Sequence, residues 1–382
     1  MKVDLAITGL FVGGAEKNLV RLACGLADDH GDEVRVLSLQ PFPTQSGRTL
    51  LLDRLRSSGI DVSSANLAGL RNFLQSRRLI RDWCSLRRTD VCQTFLHHAN
   101  WIVPSFSIAA GAQVSVGGMR VAEDRWMRNW LEGRSLRECD AVVAVSSAVA
   151  QFTNEYLSIP SSRIETIHNS IELPEAIGQE SGQPAEKSWD PKSIGWPPDS
   201  IISLFVGRMH PQKAIDDLLK AVESRLPRKE QRLLLVGEGP LEGEVDRQIA
   251  MLNDRWQQNL IHRLPWQSDV MSIMKSCDMV VLPSRYEGMP NVIMEAMSLG
   301  LAVLSSDVEG SLELLGNDTE QVFPVGDVDA LSNKWNAILE DSGLRQRLGR
   351  RNRQTVANNF TVPRMVSSYR SLYQRLLGRA DH

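Results

Sequence analysis

A chain of 382 residues with 42% hydrophobic and 23% charged residues is long enough for two cores, and its composition excludes a disordered or low-complexity protein. The formal charge of −3 gives no reason to expect nucleic acid as a partner. Five cysteines (Cys24, Cys84, Cys92, Cys139, Cys277) are odd in number, scattered and never in a C-x-x-C pair, so neither a disulfide framework nor a zinc site is indicated and a reducing cytoplasm fits.

Val3–Thr8 reads as a first strand and not as a signal peptide, because Asp4 interrupts the basic flank and Gly13-Gly14-Ala15-Glu16 leads directly into a helical pattern, Glu16–Ala27. Strand-like and helix-like segments then alternate: Glu33–Leu39, Leu50–Ser57, Val114–Val116, Ala141–Val145, a helix from Ser147, and Ile164–Ile167. That rhythm predicts a parallel sheet covered by helices. The longest uncharged stretch, Val91–Met119, holds Gln93, His97, His98, Asn100, Pro104 and Gln113, which hydrocarbon would not accommodate, so no membrane-spanning helix is expected.

Between Pro174 and Ser200 the composition turns to Pro, Gly, Ser, Gln and Glu, as in an exposed linker. The alternation restarts with Ile201–Val206, a helix from Asp216, Arg232–Val236, a helix from Leu241, Leu260–Leu264, Met279–Leu282, a helix from Asn291, and Ala302–Ser305. The expected fold class is α/β, with two Rossmann-like, doubly wound domains: residues 1–173, a linker at 174–198, residues 199–364, and a C-terminal helix at 365–382 turning back toward the first domain. Met365, Tyr369, Leu372, Tyr373 and Leu376 carry the helical spacing of that last segment.

Glu287, in Ser284-Arg285-Tyr286-Glu287-Gly288-Met289-Pro290-Asn291, follows a predicted strand, where open α/β sheets bind ligands. Asn291 opens the next helix, whose free amides and positive dipole end suit a phosphate, and Glu295 lies one turn inside it. Arg208 and Lys213, in Gly207-Arg208-Met209-His210-Pro211-Gln212-Lys213, can set two cations on a diphosphate. Gly13 and Gly14 let backbone amides approach a phosphate or sugar at the start of a helix.

The stretch EGMPNVIMEAMSLGLAVLSSDVEGSLELL, with seven residues between Glu287 and Glu295, closely resembles the signature of glycosyltransferase family 4; the Gly-Arg…Lys and GGAE segments resemble it too, with Ala214 in place of a usual glycine. The resemblance implies the GT-B architecture, two domains facing a central cleft with the acceptor bound by residues 1–173 and the nucleotide sugar by residues 199–364, and a retaining, nucleotide-sugar-dependent sugar transfer. It implies a donor site of Gly13, Gly14, Gly207, Arg208, Lys213, Leu264, Glu287, Gly288, Met289, Pro290, Asn291 and Glu295. Glu287 would contact the donor sugar, Glu295 the ribose, and Arg208 and Lys213 the leaving group. His97 or His98 is expected at the acceptor side, since adjacent residues on a strand cannot both face inward. Arg120 stands where many members carry another histidine and is a candidate to replace it.

No metal or other cofactor is expected. Asp327-Val328-Asp329 mimics an acidic metal pair but resembles a family segment, and Leu233–Gly243 has the wrong glycine spacing for a dinucleotide fingerprint. Asn169 resembles a residue that closes the first domain. Between Arg71 and Arg137 eleven arginines face five acids, and Trp126 and Trp130 lie four apart. That pattern suits either core tryptophans in solvated helices or peripheral contact with an anionic membrane, where a glycan or lipid-linked acceptor would be met. The competing functions are a nucleotide-sugar epimerase on the same scaffold and a non-catalytic nucleotide-sugar-binding partner subunit.

Overall fold

Alternation along the first strand decides how its domain is layered. In β1 (Lys2–Ile7) the side chains of Val3, Leu5 and Ile7 enter one core and Ala6 enters another on the opposite face. The computed structural model describes residues 1–45, 47–68, 73–123, 126–174, 189–224 and 230–380; Arg71, Asp124, Arg125 and most of the expected linker lie outside them. The chain divides into two compact units, Met1–Ser170 with Val362–His382, and Ile171–Thr361.

Unit 1 continues with α1 (Gly14–Asp28), β2 (Glu33–Ser38), α2 (Leu50–Ser57), β3 (Asp61–Ser64), α3 (Phe73–Ser85), β4 (Val91–Phe95), α4 (His97–Ala109), β5 (Val114–Met119), α5 (Trp126–Leu136), β6 (Ala141–Ala144), α6 (Ser147–Leu157) and β7 (Ile164–Thr166). Its seven strands are parallel in the order β3-β2-β1-β4-β5-β6-β7. Unit 2 holds β8 (Ile201–Val206), α7 (Ile215–Glu223), β9 (Gln231–Val236), α8 (Glu242–Trp256), β10 (Ile261–Leu264), α9 (Val270–Lys275), β11 (Met279–Leu282), α10 (Asn291–Ser298), β12 (Ala302–Ser306), α11 (Glu309–Leu315), β13 (Val322–Phe323), α12 (Val328–Glu340) and α13 (Ser342–Asn359). Its six strands are parallel in the order β10-β9-β8-β11-β12-β13. Each sheet therefore reverses its winding once, between β1 and β4 and between β8 and β11. The carboxyl ends of strands at such a reversal are where open α/β sheets bind ligands.

The last helix, α14 (Val362–Ala380), belongs to unit 1 and carries Pro363 in its first turn, where a missing N–H costs nothing. Met365, Val366, Tyr369, Leu372, Tyr373 and Leu376 join the core that β1 shares with α1 and α2, and Gly25 of α1 leaves room for Val366 where a Cβ would collide. On the other face of β1 sits a charged node. Asp4, 2% exposed, accepts two bonds from Arg35 (2.9 and 2.6 Å), two from Arg87 (3.2 and 2.6 Å) and one from Thr89 (2.6 Å), while Arg35 stacks 4.2 Å over the Trp83 ring.

All five cysteines are buried and free; burial, then the charges of Asp4 and Arg35, set the Cys84 thiol at about 12. Among the described residues no helix is long and apolar enough to cross a membrane. Trp126 and Trp130 correct one expectation: at 78% and 56% exposed they are not core residues, and Met127 beside them is 61% exposed. The buried side of α5 consists of Asn129, Glu132, Gly133, Ser135 and Leu136.

Candidate active site

In unit 2 the two loops at the winding reversal are bound to each other. The backbone N–H of Arg285 donates to the Gln212 carbonyl (2.8 Å), its guanidinium donates to the Pro211 carbonyl and Asp216, and Gln212 Nε2 donates to the Tyr286 carbonyl (2.9 Å). This clasp brings Lys213 onto Glu287: Nζ lies 2.5 Å from Oε1, and Ser284 Oγ donates to the same oxygen at 2.6 Å. Both side chains are largely buried, 14% and 9% exposed, so the ion pair is shielded from solvent screening.

Glycines explain how the loops come so close. The Lys213 methylenes lie across Gly207, whose N–H is held by the Val236 carbonyl (3.0 Å), and Gly237, at φ 144°, stands against the Gly207 carbonyl. Gly237 and Gly239 thus serve approach between the ends of β8 and β9. Gly310, opening α11, plays the same part beneath the Glu287 and Gly288 carbonyls. Ala214 occupies the left-handed region at φ 48° and ψ 44°, which a glycine enters without the Cβ penalty.

The remaining residues of the expected donor site are placed around this pair. Arg208 is exposed on the loop after β8 and makes no ion pair with a described residue. Gly288, Met289 and Pro290 are buried, Asn291 is the first residue of α10, and Glu295, one turn on, is 4% exposed. Leu264 ends β10, two strands from β8, with its carbonyl accepting from Gly237 (3.0 Å). Asp327 caps α12 by accepting from the Ala330 N–H (2.8 Å).

In unit 1, Gly13 and Gly14 form the cap and first residue of α1, and the Glu16 carboxylate folds back against Gly13 into the space a Cβ would take. The histidine pair corrects a second expectation, because it opens α4 and does not lie on a strand. Leu96 makes the turn at φ 71° and ψ 158°, a region that costs a side chain of this size about 1–3 kcal/mol, and its carbonyl accepts the Asn100 N–H (2.9 Å). His97 Nδ1 pairs with Glu132 Oε2 (2.9 Å), and Asn100 Nδ2 donates to Glu132 Oε1 (2.7 Å) and the Gly118 carbonyl (2.9 Å). Asn100 and Glu132 were missed in the sequence; their one signal is a polar group among apolar neighbours on a helix. Burial, then the charges of His97 and Arg128, hold His98 below the ordinary imidazole range despite Glu132, so it is neutral at pH 7.

Arg120 is 7% exposed: Nη1 donates to Asn169 Oδ1 (3.1 Å), Nη2 to Tyr369 Oη (2.7 Å), and the guanidinium lies 4.4 Å over Phe95. It ties the end of β5, α14 and the end of unit 1 together. Asn169 in turn precedes Ser170, whose N–H donates to Asn18 (2.8 Å) and whose carbonyl accepts from Arg21 (2.6 Å).

Solved structures share this fold. Anabaena Alr3699/HepE in complex with UDP and glucose superposes with a TM-score of 0.82 at 17% identity over 98% of this chain and 100% of that one. Sucrose-phosphate synthase from Thermosynechococcus elongatus gives 0.78 at 18% identity over 99% and 100%. The fold is the GT-B fold of glycosyltransferases. Residues 12–174 match the model of Glycosyltransferase Family 4 and residues 186–355 that of Glycosyl transferases group 1; the chain belongs to glycosyltransferase family 4.

Among curated relatives, the N-acetyl-alpha-D-glucosaminyl L-malate synthase of Bacillus anthracis is 25% identical over 63% of this chain and 61% of its own length. The UDP-Gal:alpha-D-GlcNAc-diphosphoundecaprenol alpha-1,3-galactosyltransferase of Escherichia coli is 26% identical over 64% and 62%. The chain thus spans under two thirds of the length of these two. The N,N'-diacetylbacillosaminyl-diphospho-undecaprenol alpha-1,3-N-acetylgalactosaminyltransferase of Campylobacter jejuni is 25% identical over 91% and 93%.

Proposed function

We propose that this chain moves a sugar from a nucleoside-diphosphate sugar to a hydroxyl of a glycan or lipid-linked acceptor, with retention of anomeric configuration, in polysaccharide or glycolipid biosynthesis. The observation that carries the reading is the Lys213–Glu287 contact at the winding reversal of unit 2. The ammonium has three donors and Glu287 takes one, so the others remain for a diphosphate oxygen. Arg208 supplies a second cation, Glu287 orients the sugar, and Glu295 holds the ribose. The acceptor oxygen bonds to the anomeric carbon as the bond to the leaving phosphate oxygen breaks on the same face, and the acceptor proton passes to that phosphate. Arg208 and Lys213 stabilise the charge that develops there, with no metal required. Relatives named for UDP-galactose and for diphosphoundecaprenol-linked acceptors support the class of both substrates.

A panel of nucleotide sugars tests it. A true donor at a hundred times its Kd stabilises the folded enzyme by about 2.7 kcal/mol, read as a rise in melting temperature, and labelled sugar then appears in an acceptor product. No stabilisation by any nucleotide sugar overturns the reading, and donor consumption with no acceptor shows an epimerase.

We also propose that the chain works in the cytoplasm, resting on an anionic membrane through α5, where Trp126, Met127 and Trp130 are exposed and Arg134 is exposed on the same helix. It is expected to co-sediment with liposomes containing anionic lipid and not with zwitterionic ones, and Trp126→Ser with Trp130→Ser is expected to abolish that. Equal recovery with both liposomes removes the membrane contact.

A further inference from the structure

Gln212 is the residue on which the two loops of unit 2 meet. Its carbonyl accepts the Arg285 N–H (2.8 Å), its Nε2 donates to the Tyr286 carbonyl (2.9 Å), and its own N–H donates to His210 Nδ1 (3.2 Å). The His210 carbonyl accepts the next N–H, that of Lys213 (2.9 Å), so one histidine closes the turn Pro211–Lys213 through both its side chain and its main chain. The contacts between the loops run in parallel register: Pro211 and Gln212 meet Arg285, Gln212 meets Tyr286, and Lys213 meets Glu287. A displacement of Gln212 is therefore passed to Lys213, one residue on.

The turn is fixed at both ends. Met209, fully buried, donates its N–H to the Glu238 carbonyl (2.9 Å), and its carbonyl accepts the Leu241 N–H (2.9 Å). Ala214, buried as well, is held at φ 48°, a region that a residue with a Cβ leaves when the bonds imposing it weaken. Of the partners of Gln212, the backbone groups of Arg285 and Tyr286 keep their state near neutral pH, whereas an imidazole does not. Nδ1 accepts only while it carries no proton; in an imidazolium both ring nitrogens are donors, and the Gln212 N–H would face another N–H. Charged and titratable groups surround His210 from four elements. Arg208 and Lys213 stand on its own loop, while Asp216 of α7, Glu244 of α8, and Arg285 and Tyr286 after β11 line one hollow with it. The two carboxylates favour the imidazolium and the three cations oppose it.

We propose that His210 is a positioning residue of the donor site, holding Lys213 toward the donor diphosphate while Nδ1 is unprotonated and releasing it when the ring takes up a proton. The proposal rests on the sugar-transfer reading above and adds a pH-dependent step at the same site.

Turnover of the full chain across about pH 5–8, with His210→Ala and His210→Asn beside it, tests this. Asparagine accepts an N–H two residues on and does not titrate. His210→Ala is expected to lower kcat by about tenfold at the upper end of that range, the worth of one hydrogen bond, with KM for the donor nearly unchanged, and His210→Asn to restore it. The ratio of His210→Asn turnover to that of the unaltered enzyme is expected to rise by about tenfold toward the acid end, since every other titrating group is common to both proteins and cancels. A flat ratio, or full turnover in His210→Ala, overturns the proposal. Hydrogen exchange of the Gln212 amide needs no donor: its protection is expected to fall by about tenfold toward the acid end in the unaltered chain and to hold in His210→Asn. Equal protection across the range in the unaltered chain also overturns it. Sugar transfer with a flat ratio removes the histidine device and leaves the transferase; pH-dependent protection of Gln212 without transfer from any donor removes the transferase reading and leaves the turn.

Discussion

Lys213→Ala is expected to lower sugar-transfer turnover by about 10²–10³-fold while the protein stays folded, because it removes a cation aimed at the charge that grows on the departing phosphate. Glu287→Ala is expected to cost a similar factor. The two side chains share one hydrogen bond of 2.5 Å, so each loses a support when the other is removed. The double variant should therefore be nearly as active as either single one, and far from the product of the two losses. Initial rates with labelled donor, beside thermal denaturation of all three variants, decide it. Multiplicative losses would mean that the two groups act separately, and turnover at the level of the unaltered enzyme would remove both from the chemistry. Ser284 sharpens the test: its hydroxyl also holds Glu287 Oε1 at 2.6 Å, so Glu287 keeps one of its two supports when Lys213 is lost.

The strand ends were readable because each is an apolar run that stops at glycine or at a charged residue, as at Val206-Gly207-Arg208 and Leu282-Pro283-Ser284-Arg285. What joins the two loops was not readable. Arg285 and Gln212 look like solvated polar residues in the sequence, and only the neighbouring positions of β8 and β11 in the sheet bring them together. The histidine pair was assigned to a strand for a comparable reason: an apolar run gives no warning of a residue such as Leu96 at positive φ, which starts a helix without the usual capping residue. Periodicity placed Trp126 and Trp130 on one face, but what covers a face depends on elements far away in the chain, and here it is solvent. The partners of Arg120 were equally hidden, since Asn169 and Tyr369 lie 49 and 249 residues away.

Asp4 is the case where sequence supplied a residue and no hint of its weight. It argued only against a leader peptide, yet in the folded chain it is the buried carboxylate of a node holding Arg35, Arg87 and Thr89, with the exposed Glu33 3.6 Å from Arg87. Asp4→Ala is expected to destabilise unit 1 by about 3–5 kcal/mol, because Arg35, 8% exposed at its side chain, would keep its charge and lose its counter-ion. The size of the loss comes from the stranded cation more than from the attraction itself. A second change that removes the cation, Asp4→Leu with Arg35→Met, is accordingly expected to recover most of the stability. Hydrogen exchange of the β1 and β2 amides is the measurement, since the chain's two units need not unfold together and a single melting point would mix them. A loss below about 1 kcal/mol in Asp4→Ala would show the node to be as weak as a surface pair, and a double variant no more stable than the single one would place the loss in packing around Trp83, not in charge.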